Sequence, residues 1–137
     1  MALVLDLPAG LTGTAELMVG EQHTAPRIGS GRIRVLATPV MINLIEAAAL
    51  AAVEQSLPEH HQSLGTHLDI THTAATPVGM RVRATAEVLR VEGRTIYFHV
   101  KAEDEREVIG EGTHERVVVN VERFDRRVQE KLAPRKT

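Results

Sequence analysis

One glutamate and one histidine are the side chains best placed for acid–base chemistry in this 137-residue chain. Glu46 is the only ionisable residue between Thr38 and Val53, the longest apolar segment of the sequence. A carboxylate in such a segment must find a partner or bind a proton, because a buried unpaired charge is costly. Glu46 is therefore either a structural residue that meets an arginine or the reactive group of a site.

The segment around Glu46 predicts a buried helix. Thr38 suits the N-cap and Pro39 the first helical position, and the alanine-rich sequence continues to about Leu57. Apolar residues lie on every side, which is typical of a helix enclosed by other structure. The segment is too short to span a membrane. A role as the N-cap would by itself explain why the sequence has Thr38 at this position.

The rest of the chain predicts strands around this helix. Apolar residues alternate with period two over 64–74, 80–91, 94–102 and 108–121, and more loosely over 11–19. Short turns, including a hairpin at Glu92-Gly93, favour antiparallel pairing. Residues 20–34 form a loop long enough to be a lid. One helix and one sheet predict an α+β fold in which the sheet curls around the helix.

The alternation predicts where the histidine lies. It puts Leu64, Leu68, Ile70, His72 and Ala74 on the face towards the helix, and Gly65 on the other face. The His72 imidazole and the Glu46 carboxylate could then share a pocket, although a core histidine would fit equally well. Thr38 and Glu46 are eight residues apart, about 12 Å along a straight helix. Their direct contact would need the preceding loop to fold back or a second chain to supply one of them.

The amino-acid composition argues against several functional classes. We expect a single domain over residues 1–137, with peripheral tails at 1–10 and 124–137. A net charge of -2 and only three aromatic residues argue against nucleic-acid binding. The chain has no cysteine and no evident signal peptide, so we expect a cytoplasmic protein. The remaining histidines lack the spacing of a metal site, so we expect no metal.

An apolar helix covered on one side predicts a homodimer, which could pair further into a tetramer.

Several strings in the sequence resemble the hot-dog fold and, within it, the fluoroacetyl-CoA thioesterase family. They are Ala37-Thr38 followed by Glu46, Ser63-Leu-Gly-Thr66, Thr71-His-Thr-Ala-Ala-Thr-Pro77, Val91-Glu-Gly-Arg94 and Ile109-Gly-Glu-Gly-Thr-His-Glu-Arg116. The resemblance covers the chain from about Val35 to Lys131.

The resemblance implies a homodimer that hydrolyses an acyl-CoA thioester at the subunit interface without a separate cofactor. The family's catalytic threonine, glutamate and histidine fall on Thr38, Glu46 and His72. Gly65 matches a glycine near the thioester carbonyl, where a backbone N–H helps to hold an oxyanion. Arg116 matches an arginine of the substrate-binding region. From the residues alone, Gly65 could equally mark a bulge and Arg116 an ion pair.

Thioester hydrolysis is our leading hypothesis, with Glu46 acting either as the nucleophile or as a base for water. A non-catalytic acyl-CoA-binding module is the alternative, and an enoyl-CoA hydratase is a weaker one. The fluoroacetate-specific enzyme of the family has an aromatic lid residue six positions before its catalytic threonine, where this chain has Arg32. We therefore predict a different small or medium acyl-CoA substrate.

Overall fold

The structure, a computed structural model, describes residues 3–135. Its five strands are Thr12–Met18 (β1), His61–His72 (β2), Arg81–Glu92 (β3), Thr95–Asp104 (β4) and Val108–Asn120 (β5). They form one antiparallel sheet in the order β1-β3-β4-β5-β2. The α-helices are Ala25–Ile28 (α1), Thr38–Val53 (α2) and Val121–Gln129 (α3). The sheet packs against α2, which confirms the predicted α+β arrangement.

The core lies between α2 and the inner face of the sheet. The predicted alternation on β3 and β4 is confirmed, and the fully buried side chains there are those of Val82, Ala84, Ala86, Val88, Ile96, Phe98, Val100 and Ala102. Strand β1 approaches α2 most closely at Gly13, where a Cβ atom would overlap the backbone of Ala48 and Ala52. Small residues in the middle of α2 permit this contact, which fixes the helix across the sheet.

The prediction that Thr38 caps the central helix is wrong. Ala37 is the N-cap residue, with extended backbone angles, and Thr38 is the first residue of α2. Pro39 therefore occupies the second helical position, where a missing N–H is equally harmless. The Thr38 side chain makes no capping hydrogen bond, so its hydroxyl is available for another partner.

The predicted faces of Leu64 and Gly65 are also wrong. A β-bulge at Thr66 interrupts the pairing of β2 with β5, since Gly65 pairs with Arg116 and His67 with Glu115. The extra residue reverses the alternation on the N-terminal side of the bulge. Gly65 consequently faces the helix, whereas the prediction for His72, on the other side of the bulge, is unaffected.

Helix α2 is covered on one side only. Asn43, Ala47 and Leu50 are exposed on its other side, which confirms the expectation that one chain covers this helix on one side only. Strand β2 lies at the adjacent edge of the sheet, where Leu64 and Leu68 are also exposed. This uncovered helix side and sheet edge together form what we call the open face.

The remaining segments are peripheral. The predicted loop between β1 and α2 contains a 3-10 turn, Glu21–His23, and the short helix α1. The C-terminal tail predicted from residue 124 begins within α3, which follows Asn120, whose side chain accepts a hydrogen bond from the Arg123 N–H. Among residues 3–135, the structure has no helix that is long and apolar enough to cross a membrane.

Candidate active site

The first cluster of polar groups forms where α2 begins and β2 ends. Thr38 Oγ1 lies 2.7 Å from His72 Nδ1, a hydrogen bond between residues 34 positions apart. The hydroxyl that the sequence assigned to capping is therefore a partner of the imidazole. We call this pair the threonine–histidine cluster.

His72 has the properties of an acid–base group. Burial lowers the pKa of its imidazole, and the nearby Ala74 backbone partly opposes this shift. Its Nε2 atom is buried and has no hydrogen-bond partner among the described residues. A neutral imidazole with one nitrogen held by Thr38 and the other uncommitted can accept or deliver a proton.

The threonine–histidine cluster opens into a groove of about 350 Å³. Its walls come from the loop before α2 and from the segment after β2. They are lined by Ala25, Ser30, Gly31, Arg32, Ile33, Val35, Leu36, Thr38, His72, Thr73, Ala74 and Ala75. The groove is mostly apolar, with the imidazole, the hydroxyl groups and one guanidinium as its polar features.

The second cluster lies two helical turns further along α2. Glu46 Oε2 is 3.4 Å from Arg116 Nη1, and the Glu46 side chain keeps 35% of its surface exposed. Gly65 faces the same carboxylate, because a Cβ atom at this position would lie 2.5 Å from Oε2. We call Glu46, Gly65 and Arg116 the glutamate–arginine cluster. Its carboxylate is paired but still accessible to a ligand.

Two residues that the sequence analysis did not assign hold Arg116 in place. Its Nε donates to Ser63 Oγ at 2.8 Å, and its Nη2 donates to the Ser63 carbonyl oxygen at 3.1 Å. The backbone N–H and hydroxyl of Ser63 in turn donate to the Glu54 carboxylate at 2.9 and 2.8 Å. Ser63 thus holds the guanidinium on the side away from Glu46, and only Nη1 points towards Glu46.

His114 completes this network and was also missed as a site residue. Its Nδ1 lies 2.8 Å from the His67 carbonyl oxygen, so this nitrogen carries the proton, and its Nε2 accepts from Arg116 Nη1 at 3.2 Å. Burial lowers the pKa of His114, although the hydrogen bond with His67 opposes the shift. The ring also stacks on Phe98. A neutral His114 therefore orients the guanidinium without adding charge.

The structure does not bring all five predicted site residues together. Within residues 3–135 of one chain, no hydrogen bond or ion pair joins Glu46 to Thr38 or His72, and Glu46 does not line the groove that those two residues share. The separation follows from the eight-residue spacing along α2. Both clusters border the inner face of β2, one near Gly65 and one at His72. The two clusters are therefore separate within a single chain.

We expect Gly65→Ala to displace the Glu46 carboxylate without unfolding the protein. The added methyl group would lie 2.5 Å from Oε2, and the flexible end of the glutamate can move where a backbone atom could not. We expect kcat/KM for an acyl-CoA to fall by about 10- to 100-fold, the scale of losses from misplaced catalytic groups. Thermal unfolding would be compared with wild type. Unchanged kinetics would show that Glu46 need not occupy this position.

The sequence of this chain matches a known protein family. Residues 19–122 match the family described as fluoroacetyl-CoA-specific thioesterase. The chain belongs to the fluoroacetyl-CoA-specific thioesterase family. It is 45% identical over 97 residues to the fluoroacetyl-CoA thioesterase of Streptantibioticus cattleyicolor. The aligned residues cover 71% of this chain and 70% of that protein.

Solved structures agree with this family assignment. The fluoroacetyl-CoA thioesterase FlK superposes with a TM-score of 0.87 at 36% identity, covering 94% of this chain and 99% of that one. A hot-dog-like protein from Thermanaerovibrio acidaminovorans gives a TM-score of 0.85 at 26% identity, over 94% and 96% of the two chains. The predicted hot-dog fold and the predicted family are both confirmed.

Proposed function

We propose that this member of the thioesterase family hydrolyses a small or medium acyl-CoA to the free acid and CoA. The observation that carries the proposal is the glutamate–arginine cluster. It contains an accessible carboxylate, Glu46, that faces a glycine on a sheet strand and is held by an arginine fixed on its far side. A binding module has no need of a carboxylate on an apolar helix, whereas hydrolysis needs a nucleophile or a base.

The chemistry assigns complementary roles to the two clusters. Glu46 either attacks the thioester carbonyl carbon to form a mixed anhydride, which water then cleaves, or removes a proton from the attacking water. In both routes the C–S bond breaks and the CoA sulfur takes up a proton, which the neutral His72 imidazole first accepts from water and then passes to the sulfur. Thr38 orients the His72 ring. Backbone N–H groups near Gly65 stabilise the charge on the carbonyl oxygen. CoA enters as part of the substrate, so the reaction needs no separate cofactor.

A homodimer would unite the two clusters. Strand β2 lies at the edge of the sheet and borders the exposed side of α2, so the open face offers both backbone pairing and apolar surface to a second copy. Antiparallel pairing of two β2 strands would place the His72 end of one beside the Gly65 end of the other. Each dimer would then have two equivalent sites at its interface, as its two-fold symmetry requires. We expect the enzyme to act in the cytoplasm, which suits a chain without cysteine.

A panel of acyl-CoA substrates tests the proposed activity. Purified protein would be incubated with acetyl-, propionyl-, butyryl-, hexanoyl- and fluoroacetyl-CoA, and free thiol would be measured. We expect thiol release from at least one of these thioesters and no strong preference for fluoroacetyl-CoA over acetyl-CoA, because Arg32 lies at the groove. Binding without thiol release would favour the non-catalytic module. An enoyl-CoA would be assayed alongside the panel, and its conversion to a hydrated thioester without thiol release would favour the hydratase.

A further inference from the structure

Arg32 gives the groove of the threonine–histidine cluster a charge that the reaction itself does not use. Among the described residues that line this groove, Arg32 alone carries a permanent charge, and none is acidic. The pKa of His72 is lowered by burial, so its imidazole is neutral near pH 7 and does not compete for an anion. The electrostatic preference of the groove is therefore for a negatively charged group.

The guanidinium of Arg32 is also free to bind a ligand. Its neighbour Arg34 pairs with Glu21, but Arg32 has no ion-pair partner within residues 3–135, and it is exposed. A guanidinium offers a planar set of donors that matches the two oxygens of a carboxylate. Arg32 thus differs from the arginines of the surface that are already neutralised.

We infer that Arg32 selects acyl-CoA substrates whose short acyl chain ends in a carboxylate. This inference rests on the proposed thioesterase activity and names its substrate class. The groove has apolar side chains for methylene groups, including Ile33, Val35 and Leu36, and one cation for the terminal carboxylate. A volume of about 350 Å³ suits a short acyl chain and lies near the lower limit for ligand pockets.

The phosphates of CoA are the other source of negative charge, but the position of Arg32 favours the acyl group. Arg32 lines the same groove as Thr38 and His72, the groups that we place beside the thioester. In an acyl-CoA the phosphates are separated from the thioester by the whole pantetheine arm. The carboxylate of a short diacid is separated from it by only a few carbon atoms.

Matched substrates that differ only in the terminal carboxylate test this inference. The kcat/KM of wild type would be compared for glutaryl-CoA against pentanoyl-CoA, and for malonyl-CoA against propionyl-CoA. We expect wild type to prefer the charged member by about 10-fold or more, and Arg32→Leu to lose most of this preference, measured as the ratio of the two kcat/KM values within each variant. Arg27→Leu, which removes an exposed arginine outside the groove, should retain the wild-type preference.

Three outcomes would overturn the inference, and each is distinguishable from failure of the proposed activity. Equal kcat/KM for glutaryl- and pentanoyl-CoA would exclude selection by Arg32. An equal rise in KM for every acyl-CoA in Arg32→Leu, absent with acyl-pantetheine thioesters, would assign the guanidinium to the CoA phosphates. The third outcome concerns binding alone, and it applies even if no thioester is cleaved and the proposed activity fails. The inference is then decided by calorimetry, where equal affinity of wild type for glutaryl- and pentanoyl-CoA would reject it.

Discussion

Glu46→Gln is expected to reduce kcat/KM for the preferred acyl-CoA by at least about 10³-fold, because an amide can serve neither as nucleophile nor as base. The substitution keeps the size and shape of the side chain. It removes the negative charge from the contact with Arg116, at 3.4 Å, and leaves the hydrogen bonds of that guanidinium to Ser63 and His114. The loss of activity should therefore come from the missing carboxylate and not from a change in structure.

The measurement pairs thiol release with thermal unfolding for wild type and Glu46→Gln. Glu87→Gln is the matched control, since it makes the same chemical change at an exposed position of β3, and it should retain wild-type kinetics. A Glu46→Gln enzyme with more than about a tenth of wild-type kcat/KM would be inconsistent with either role for this carboxylate.

The architecture was predictable because it depends on local periodicity. The alternation on β3 and β4 specifies which side chains are buried, and the single apolar segment specifies the central helix. Gly93 in the predicted hairpin adopts a positive φ of 62°, as a tight turn of this kind requires. These features need no knowledge of the tertiary structure.

The errors occurred where one residue changes the local geometry. The bulge at Thr66 adds a residue to β2 and reverses the face of Gly65. The alternation of apolar residues in the sequence does not predict this bulge. Capping rules also cannot decide between two adjacent residues, because Pro39 is acceptable at either the first or second helical position. Thr38 was therefore assigned to the backbone when its partner is His72.

The network behind Arg116 was missed for a different reason. Its members lie on three elements, with Glu54 after α2, Ser63 on β2 and His114 on β5. Only the pairing of β2 with β5 brings Ser63 and Arg116 side by side. The chemical types of these residues are common on protein surfaces, so spacing along the chain carries no signal for this network.

The position of the two clusters at the open face makes subunit complementation the decisive experiment. Two inactive variants, His72→Ala and Glu46→Gln, would be co-expressed with different affinity tags, and the heterodimer purified through both. If each site takes His72 from one subunit and Glu46 from the other, this heterodimer contains one intact site. We expect about half of the wild-type activity per dimer, although each parent homodimer is inactive.

The reciprocal heterodimer supplies the control. Here one subunit is wild type and the other carries both substitutions, so sites that span the interface would each lack one group, and the heterodimer should be inactive. Sites contained within one chain give the opposite result. The first heterodimer would then be inactive, and the second would keep about half of the wild-type activity. The two preparations contain the same side chains in the same numbers, so a difference between them reports only which chain supplies each group.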